Sequence, residues 1–177
     1  MKTHFFFAAG LAALAGCAAT APAGPASELT PLDIQGEYRH EPSHLLFPAD
    51  YGAFHRVSLS QRGDNTHIVA GYAGGPPRCL TAVTFFVDPV VAGESADAAF
   101  ARARVETLRA HGSAILESEV LDPESPWKRA IYVDRDRRVE LGLRRMGKID
   151  VVDRAVYPAV CAQEMRQSLA EFLPWQR

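Results

Sequence analysis

Hydrophobic and polar positions alternate through much of this chain. From Phe54 to Arg62, His55, Val57 and Leu59 fall on one side and Arg56, Ser58 and Ser60 on the other. That is the period of a half-buried strand. Gly63-Asp64-Asn65 makes a hairpin loop and Thr66–Tyr72 returns. Gly74-Gly75-Pro76-Pro77 is a loop by its punctuation. Cys79–Asp88, rich in Val, Thr and Phe, reads as a central strand ended by Pro89. Upstream, a polar lead-in with a short strand near Gly36–His40 precedes an apolar strand at Leu45–Phe47, which Pro48 stops.

At Ser95 the period changes. Ser95 caps a helix predicted to run to His111 and close at Gly112. Its apolar face holds Phe100, Ala103, Thr107 and Leu108. Four strands follow: Ala114–Leu121, Trp127–Asp134, Val139–Met146 and Ile149–Tyr157. Pro123–Pro126, Asp134–Arg138 and Gly147-Lys148 connect them. Pro158 opens a last helix, where a missing N–H costs little, and Pro174 ends it. Val160, Cys161, Met165, Leu169 and Phe172 share one side of that helix. Short connections favour hairpins. The expectation is an α+β fold, a largely antiparallel β-sheet covered by two helices, in the order ββββ-α-ββββ-α and sandwich-like as α/β/α.

The first residues follow a different pattern. Lys2 precedes the uncharged run Phe5–Ala13, and Ala15 and Gly16 are the small residues a peptidase needs beside its cut. The run is shorter than the roughly 20 residues that span a bilayer. Leu14-Ala15-Gly16-Cys17 resembles the lipobox of bacterial lipoproteins at every position. The resemblance implies diacylglycerol on the Cys17 sulfur, cleavage before Cys17 and acylation of the new N-terminus, a palmitate-bearing anchor. Ala18, in place of an aspartate, implies sorting to the outer membrane of Gram-negative bacteria, facing the periplasm. Two or more acyl chains hold stably, because each buried methylene contributes about 0.8 kcal/mol.

These signals divide the chain into a signal peptide at 1–16, the lipidated cysteine with a flexible tether at 17–39, and one α+β domain at 40–177. Thr20–Ser27 is all small residues and prolines, with nothing to bury. Removing the leader takes one lysine and no acid, leaving 18 basic residues against 21 acidic. Two cysteines remain, Cys79 and Cys161. Behind an export signal they are either a disulfide or two buried thiols, since sequence does not supply their separation. With no CxxC and no paired His spacing, no metal site is expected.

The order of elements, with Phe47-Pro48-Ala49-Asp50-Tyr51-Gly52-Ala53-Phe54-His55-Arg56 and Arg154-Ala155-Val156-Tyr157-Pro158, is similar to small bacterial lipoproteins of uncharacterised type. More loosely it resembles the PsbP-like α/β/α fold, whose members are mostly binding or assembly proteins. That likeness implies a binding role.

Candidate chemistry changes the picture little. In the predicted hairpin the residue opposite His67 is near Gln61, so His55 lies roughly 20 Å away at ~3.3 Å per residue. The two histidines read as core or edge residues, not shared ligands. No Gly-x-Ser-x-Gly or Ser-x-x-Lys is present. Glu117 and Glu119, two apart on a strand, share a predicted solvated face. Residues 127–154 hold nine Lys/Arg against five acids. Arg135, Arg137, Arg138, Arg144, Arg145 and Lys148 are the candidate patch for an anionic or protein partner. The competing explanation for these charges is protection of sheet edges against pairing.

The sequence therefore predicts a membrane-anchored cell-envelope lipoprotein acting as a non-catalytic binding or assembly module. Its expected partners are the membrane, through lipid on Cys17, and an envelope protein or polysaccharide. Neither nucleic acid nor a cofactor is expected. The alternative is an envelope hydrolase with a dispersed Ser/His site.

Overall fold

The computed structural model of the chain describes residues 28–121 and 127–172. The leader with Cys17, the loop Pro123–Pro126 and Pro174 lie outside the described residues. The strands are β1 (Thr30–Pro31), β2 (Tyr38–His40), β3 (Leu45–Phe47), β4 (Asp50–Tyr51), β5 (Phe54–Gln61), β6 (Ile68–Gly74), β7 (Thr81–Pro89), β8 (Ile115–Leu121), β9 (Trp127–Asp134), β10 (Arg137–Met146) and β11 (Ile149–Pro158). Helix α1 spans Ala96–Ala110 and α2 spans Ala162–Phe172. The expected order ββββ-α-ββββ-α is thus corrected. Seven strands precede α1, because the lead-in breaks into short pieces at its turns and prolines.

The main sheet is antiparallel throughout and runs β1-β5-β6-β7-β11-β10-β9-β8, with β4 on β5 and β2–β3 as a separate hairpin. The period of two assigns its faces. Val139, Leu141 and Leu143 of β10 stand opposite Val156, Arg154 and Val152 of β11. They share the face on which Ala99, Phe100 and Ala103 of α1 pack. The other face carries Phe85, Val87, Val151, Ala155 and Tyr157, which pack with Leu45 and Phe47 of β3 and with Met165 and Leu169 of α2.

Each helical layer covers only half a face. α1 lies over β9–β11 on one side, and α2 with the β2–β3 hairpin lies over β5–β7 and β11 on the other. No helix among the described residues covers the two remaining diagonal quadrants. One is the α1 face of β5–β7. The other is the opposite face of β8–β10.

α1 starts as expected: Ser95 Oγ accepts from the Ala98 N–H at 3.1 Å. It ends at His111, whose N–H bonds the Thr107 carbonyl, with no left-handed glycine. The lead-in is fastened by Arg56, whose guanidinium donates to the carbonyls of Phe47, Ile34 and Gly36. Pro158 opens a 3-10 turn, Ala159–Cys161, before α2. The threefold period of that turn rotates Val160 outward, leaving it 93% exposed instead of packed.

Two bulges revise the strand faces. Register shifts between Arg56 and Ser58, so Val57 is exposed and does not share a face with Leu59. A second shift between Leu116 and Ser118 sends Glu117 to Arg138 on one face and Glu119 to Arg104 of α1 on the other. The two glutamates do not share a face. An extra residue inverts alternation beyond it.

Candidate functional site

The uncovered quadrant of β5–β7 is built from small side chains. Ser58 and Ser60, Gly71 and Ala73, and Ala82 and Thr84 occupy its cross-strand positions. Beside it runs the flank of α1. Where the helix ends, sheet and helix leave a cleft of about 570 Å³. Its wall includes Ala73, Leu80, Ala82, Thr84 and Val156, with His111, Arg137 and Arg154 as its ionisable side chains apart from Tyr157. No carboxylate of the described residues lines it. The size is that of a small-molecule site.

β11 delivers Arg154. Its strand neighbours on this face, Val152 and Val156, pack against the α1 cluster, so alternation points a charged residue at the edge of a core. The guanidinium lies 5.4 Å from the centre of the Phe86 ring, a cation–π arrangement. Burial lowers its pKa, and the Glu106 charge across the groove opposes that shift. Arg154 also lines a smaller cavity of about 60 Å³ under α1, with Phe86, Asp88, Arg102 and Glu106. Among the described residues it makes no salt bridge.

His111 enters from the end of α1. Its Nδ1 is 3.5 Å from Asp134 Oδ2. Ser113 Oγ donates to Asp134 Oδ1 at 2.5 Å. That hydroxyl, with His111 and Arg135 adding to it, holds the Asp134 pKa below its ordinary value. Serine, histidine and aspartate are together here, but the serine bonds the carboxylate and not the imidazole. A nucleophile–base pair needs the latter. A Ser–His contact exists elsewhere: His40 Nδ1 and Ser43 Oγ are 2.6 Å apart. His40 is fully buried, and its Nε2 bonds the Asn65 carbonyl. The first bond closes the β2–β3 turn, the second fastens that hairpin to the β5–β6 turn, and neither residue lines the two cavities. Burial also lowers the His40 pKa, the backbone bond and Glu41 opposing it.

The second uncovered quadrant is ionic. Glu140 is buried on β10, accepts from the Tyr157 hydroxyl and pairs with Arg129. Burial, the Glu140 hydrogen bond and its charge together raise the Tyr157 pKa. Asp153 of β11 lies over Gly142. Burial pushes its pKa up to about 7, with the Glu140 charge adding to the rise and Arg129 opposing it.

The predicted basic patch is not one surface. Alternation along β10 puts Arg137 and Arg145 on the α1 face and Arg138 and Arg144 on the other. Arg135 and Lys148 sit in turns at opposite ends of the strand. Arg138 pairs with Glu117, and Arg144 lies over the Trp127 ring. Arg145 makes two bonds to the buried Asp150 and one to the Glu94 carbonyl. Of the six, Arg137 alone lines the cleft. Its companion there, Arg154, belongs to the same basic stretch but not to the predicted set. A charged residue between Val152 and Val156 on an inward-facing parity was the sequence signal for it.

Cys79 and Cys161 are brought together as a disulfide, with Cα atoms 5.7 Å apart. Glu164 Oε2 lies 2.9 Å from Cys79 Sγ. With both sulfurs bridged there is no thiolate, so this trio lacks the donors of a metal site. His55 pairs with Asp50 and His67 with Asp88, each at 2.5 Å, and the two histidines do not meet. No helix among the described residues is long and apolar enough to cross a membrane.

No protein-family model matches the chain, and neither a curated protein nor a solved structure matches it. The reading of function rests on the residues themselves.

Proposed function

We propose that the chain is a lipid-anchored cell-envelope protein whose domain binds or assembles with a partner and does not transform one. One observation carries the binding half: a cleft open beside a helix-free half of the sheet, lined by two arginines and a histidine, with no serine hydroxyl on that histidine. Two arginines that make no salt bridge among the described residues, set over small and apolar side chains, suit holding a ligand better than activating a nucleophile.

The anchor half rests on Leu14-Ala15-Gly16-Cys17 at the end of the apolar leader. Lipid on Cys17, placement in the outer membrane facing the periplasm, and an envelope protein or polysaccharide partner belong to this reading. The Cys79–Cys161 bridge supports it, since disulfides persist in oxidising compartments. Helices on opposite faces of one antiparallel sheet support the likeness to the PsbP-like α/β/α arrangement.

The test has two arms. In cells, Cys17→Ser is expected to lose labelling by a fatty-acid analogue and to leave the membrane fraction. Unchanged partitioning of that variant rejects the anchor. Photo-crosslinkers at Leu80 and Ala82 are expected to capture a saturable partner. Capture no greater than from Leu46, exposed on the β2–β3 hairpin over the opposite face of the sheet, rejects the binding role.

A second reading, an envelope hydrolase with a dispersed Ser/His site, has one observation in its favour: His111 faces the cleft with Asp134 behind it. Covalent labelling by a fluorophosphonate, lost in His111→Gln, would establish it.

A further inference from the structure

We propose that the cleft beside α1 takes an anionic amphiphile: one carboxylate or phosphate head group on an apolar chain, the head held by Arg154 and Arg137. This rests on the binding reading above and names the ligand class for the same cleft.

Several arginines elsewhere in the fold are already matched. Arg102, Arg104, Arg129, Arg138 and Arg145 each pair with a carboxylate. Arg56 is saturated by backbone carbonyls. Arg154 differs. It is drawn partly out of water against Phe86, and Glu106 acts on it only across the groove. Removing a cation from water without a paired anion is unfavourable, and a guanidinium offers a two-pronged donor shaped for carboxylate or phosphate. Arg137, exposed on β10 opposite Pro158, adds a second cation on the same cleft. Among the described residues the cleft wall holds no carboxylate, Asp88 and Glu106 lining instead the smaller cavity on the other side of Arg154, so the charged groups that face the cleft suit an anion.

The rest of the cleft favours an apolar body. Ala73, Ala82 and Val156 leave a shallow floor, and Leu80 stands 80% exposed beside it. A small hydrophilic anion would leave those surfaces wet. An attached chain would cover them, gaining about 25 cal/mol per Å² of apolar surface removed from water.

The experiment uses the chain carrying Cys17→Ser, so that its own lipid does not occupy the cleft. Decanoate, decyl phosphate and decyltrimethylammonium, each below its micelle concentration, are titrated calorimetrically, with acetate and inorganic phosphate as head groups alone. Saturable binding of decanoate or decyl phosphate at one site is expected, with none of the cationic amphiphile and much weaker binding of the bare heads. Preference for decanoate identifies a fatty-acid source, and preference for decyl phosphate a phospholipid source. Either supports the proposal. Arg154→Gln should weaken binding about tenfold or more, the loss expected for charge-assisted hydrogen bonds. Arg137→Gln, an exposed change that leaves the core intact, should weaken it by a smaller factor. Equal binding of anionic and cationic amphiphiles, parental affinity in both arginine variants, or no binding at all overturns the proposal. If nothing binds while crosslinking at Leu80 and Ala82 captures a macromolecule, the ligand class is wrong and the binding role stands.

Discussion

The Asp153 carboxylate occupies the space where a side chain at Gly142 would begin. The two residues are cross-strand neighbours on β11 and β10, and a Cβ built on Gly142 would meet the Asp153 side-chain oxygens and Cγ inside contact distance. Glycine is needed here for close approach, not for an unusual backbone angle. Gly142→Ala should destabilise the domain by about 1–3 kcal/mol, the usual cost of overpacking, read by urea denaturation. The penalty should shrink in an Asp153→Ala background, because the colliding atoms are then absent. Equal penalties in both backgrounds would show that the carboxylate is not what glycine accommodates.

The same carboxyl makes stability depend on pH. Its folded pKa, about 7, lies above the ordinary aspartate value of 3.8. Between these values the folded chain binds more protons than the unfolded one, so this group's contribution falls as pH rises from about 4 to about 7. Desolvation is the main cause, and the Glu140 charge adds to it against Arg129. Asp153→Asn should flatten that part of the stability–pH profile and gain most over the parent above pH 7. A variant whose profile runs parallel to the parent's would place the carboxyl in water.

Much of this architecture was legible because strands advertise their period. β9, β10, β11 and the Ser95 cap follow directly from alternation and capping chemistry. The bulges did not, since one extra residue at Val57 or Glu117 leaves no mark in composition yet inverts the faces beyond it. Alternation alone puts His55, Val57 and Leu59 on one face, and Glu117 with Glu119 on one face, and the bulges separate both sets. The basic stretch was visible as charge, but not its partners. Glu117 and the Glu94 carbonyl reach Arg138 and Arg145 from other parts of the fold, and Glu140 reaches Arg129 across the β9–β10 pair. Arg154 was readable as a charge on an inward-facing parity, but the cleft it lines depends on how much of the sheet α1 covers, which no local pattern encodes.

Arg145 tests the claim that the basic stretch is mostly neutralised. Its guanidinium makes two bonds, of 2.7 and 2.8 Å, to an Asp150 that is 2% exposed. Arg145→Met leaves that carboxylate buried without its partner, at a cost of about 3–5 kcal/mol. Pairing the change with Asp150→Asn should restore much of the loss, because the uncompensated charge is gone. Thermal denaturation of the four proteins in the cycle measures the coupling. If Arg145→Met alone is as stable as the parent, Arg145 is a free surface cation and belongs back in a binding patch.

The disulfide closes the longest loop that any covalent bond here controls. Cys79 leads into β7 and Cys161 leads into α2, 82 residues apart in sequence. It therefore ties the helix covering one half of the sheet to the strand beneath it, across the whole α1–β11 segment. In the chain-entropy account a loop of this length contributes about 4–5 kcal/mol by restricting the unfolded state. Both sulfurs are buried, at 2% and 3% exposure, so reduction under native conditions should be slow and should accelerate on partial unfolding. The double variant Cys79→Ala with Cys161→Ala should lose about 2–5 kcal/mol. A thiol count on the denatured, unreduced chain should find neither cysteine reactive. Two reactive thiols besides Cys17 would mean that the bridge does not form. α2 would then be held to the sheet by packing such as that of Met165 and Leu169, and the double alanine change would cost little.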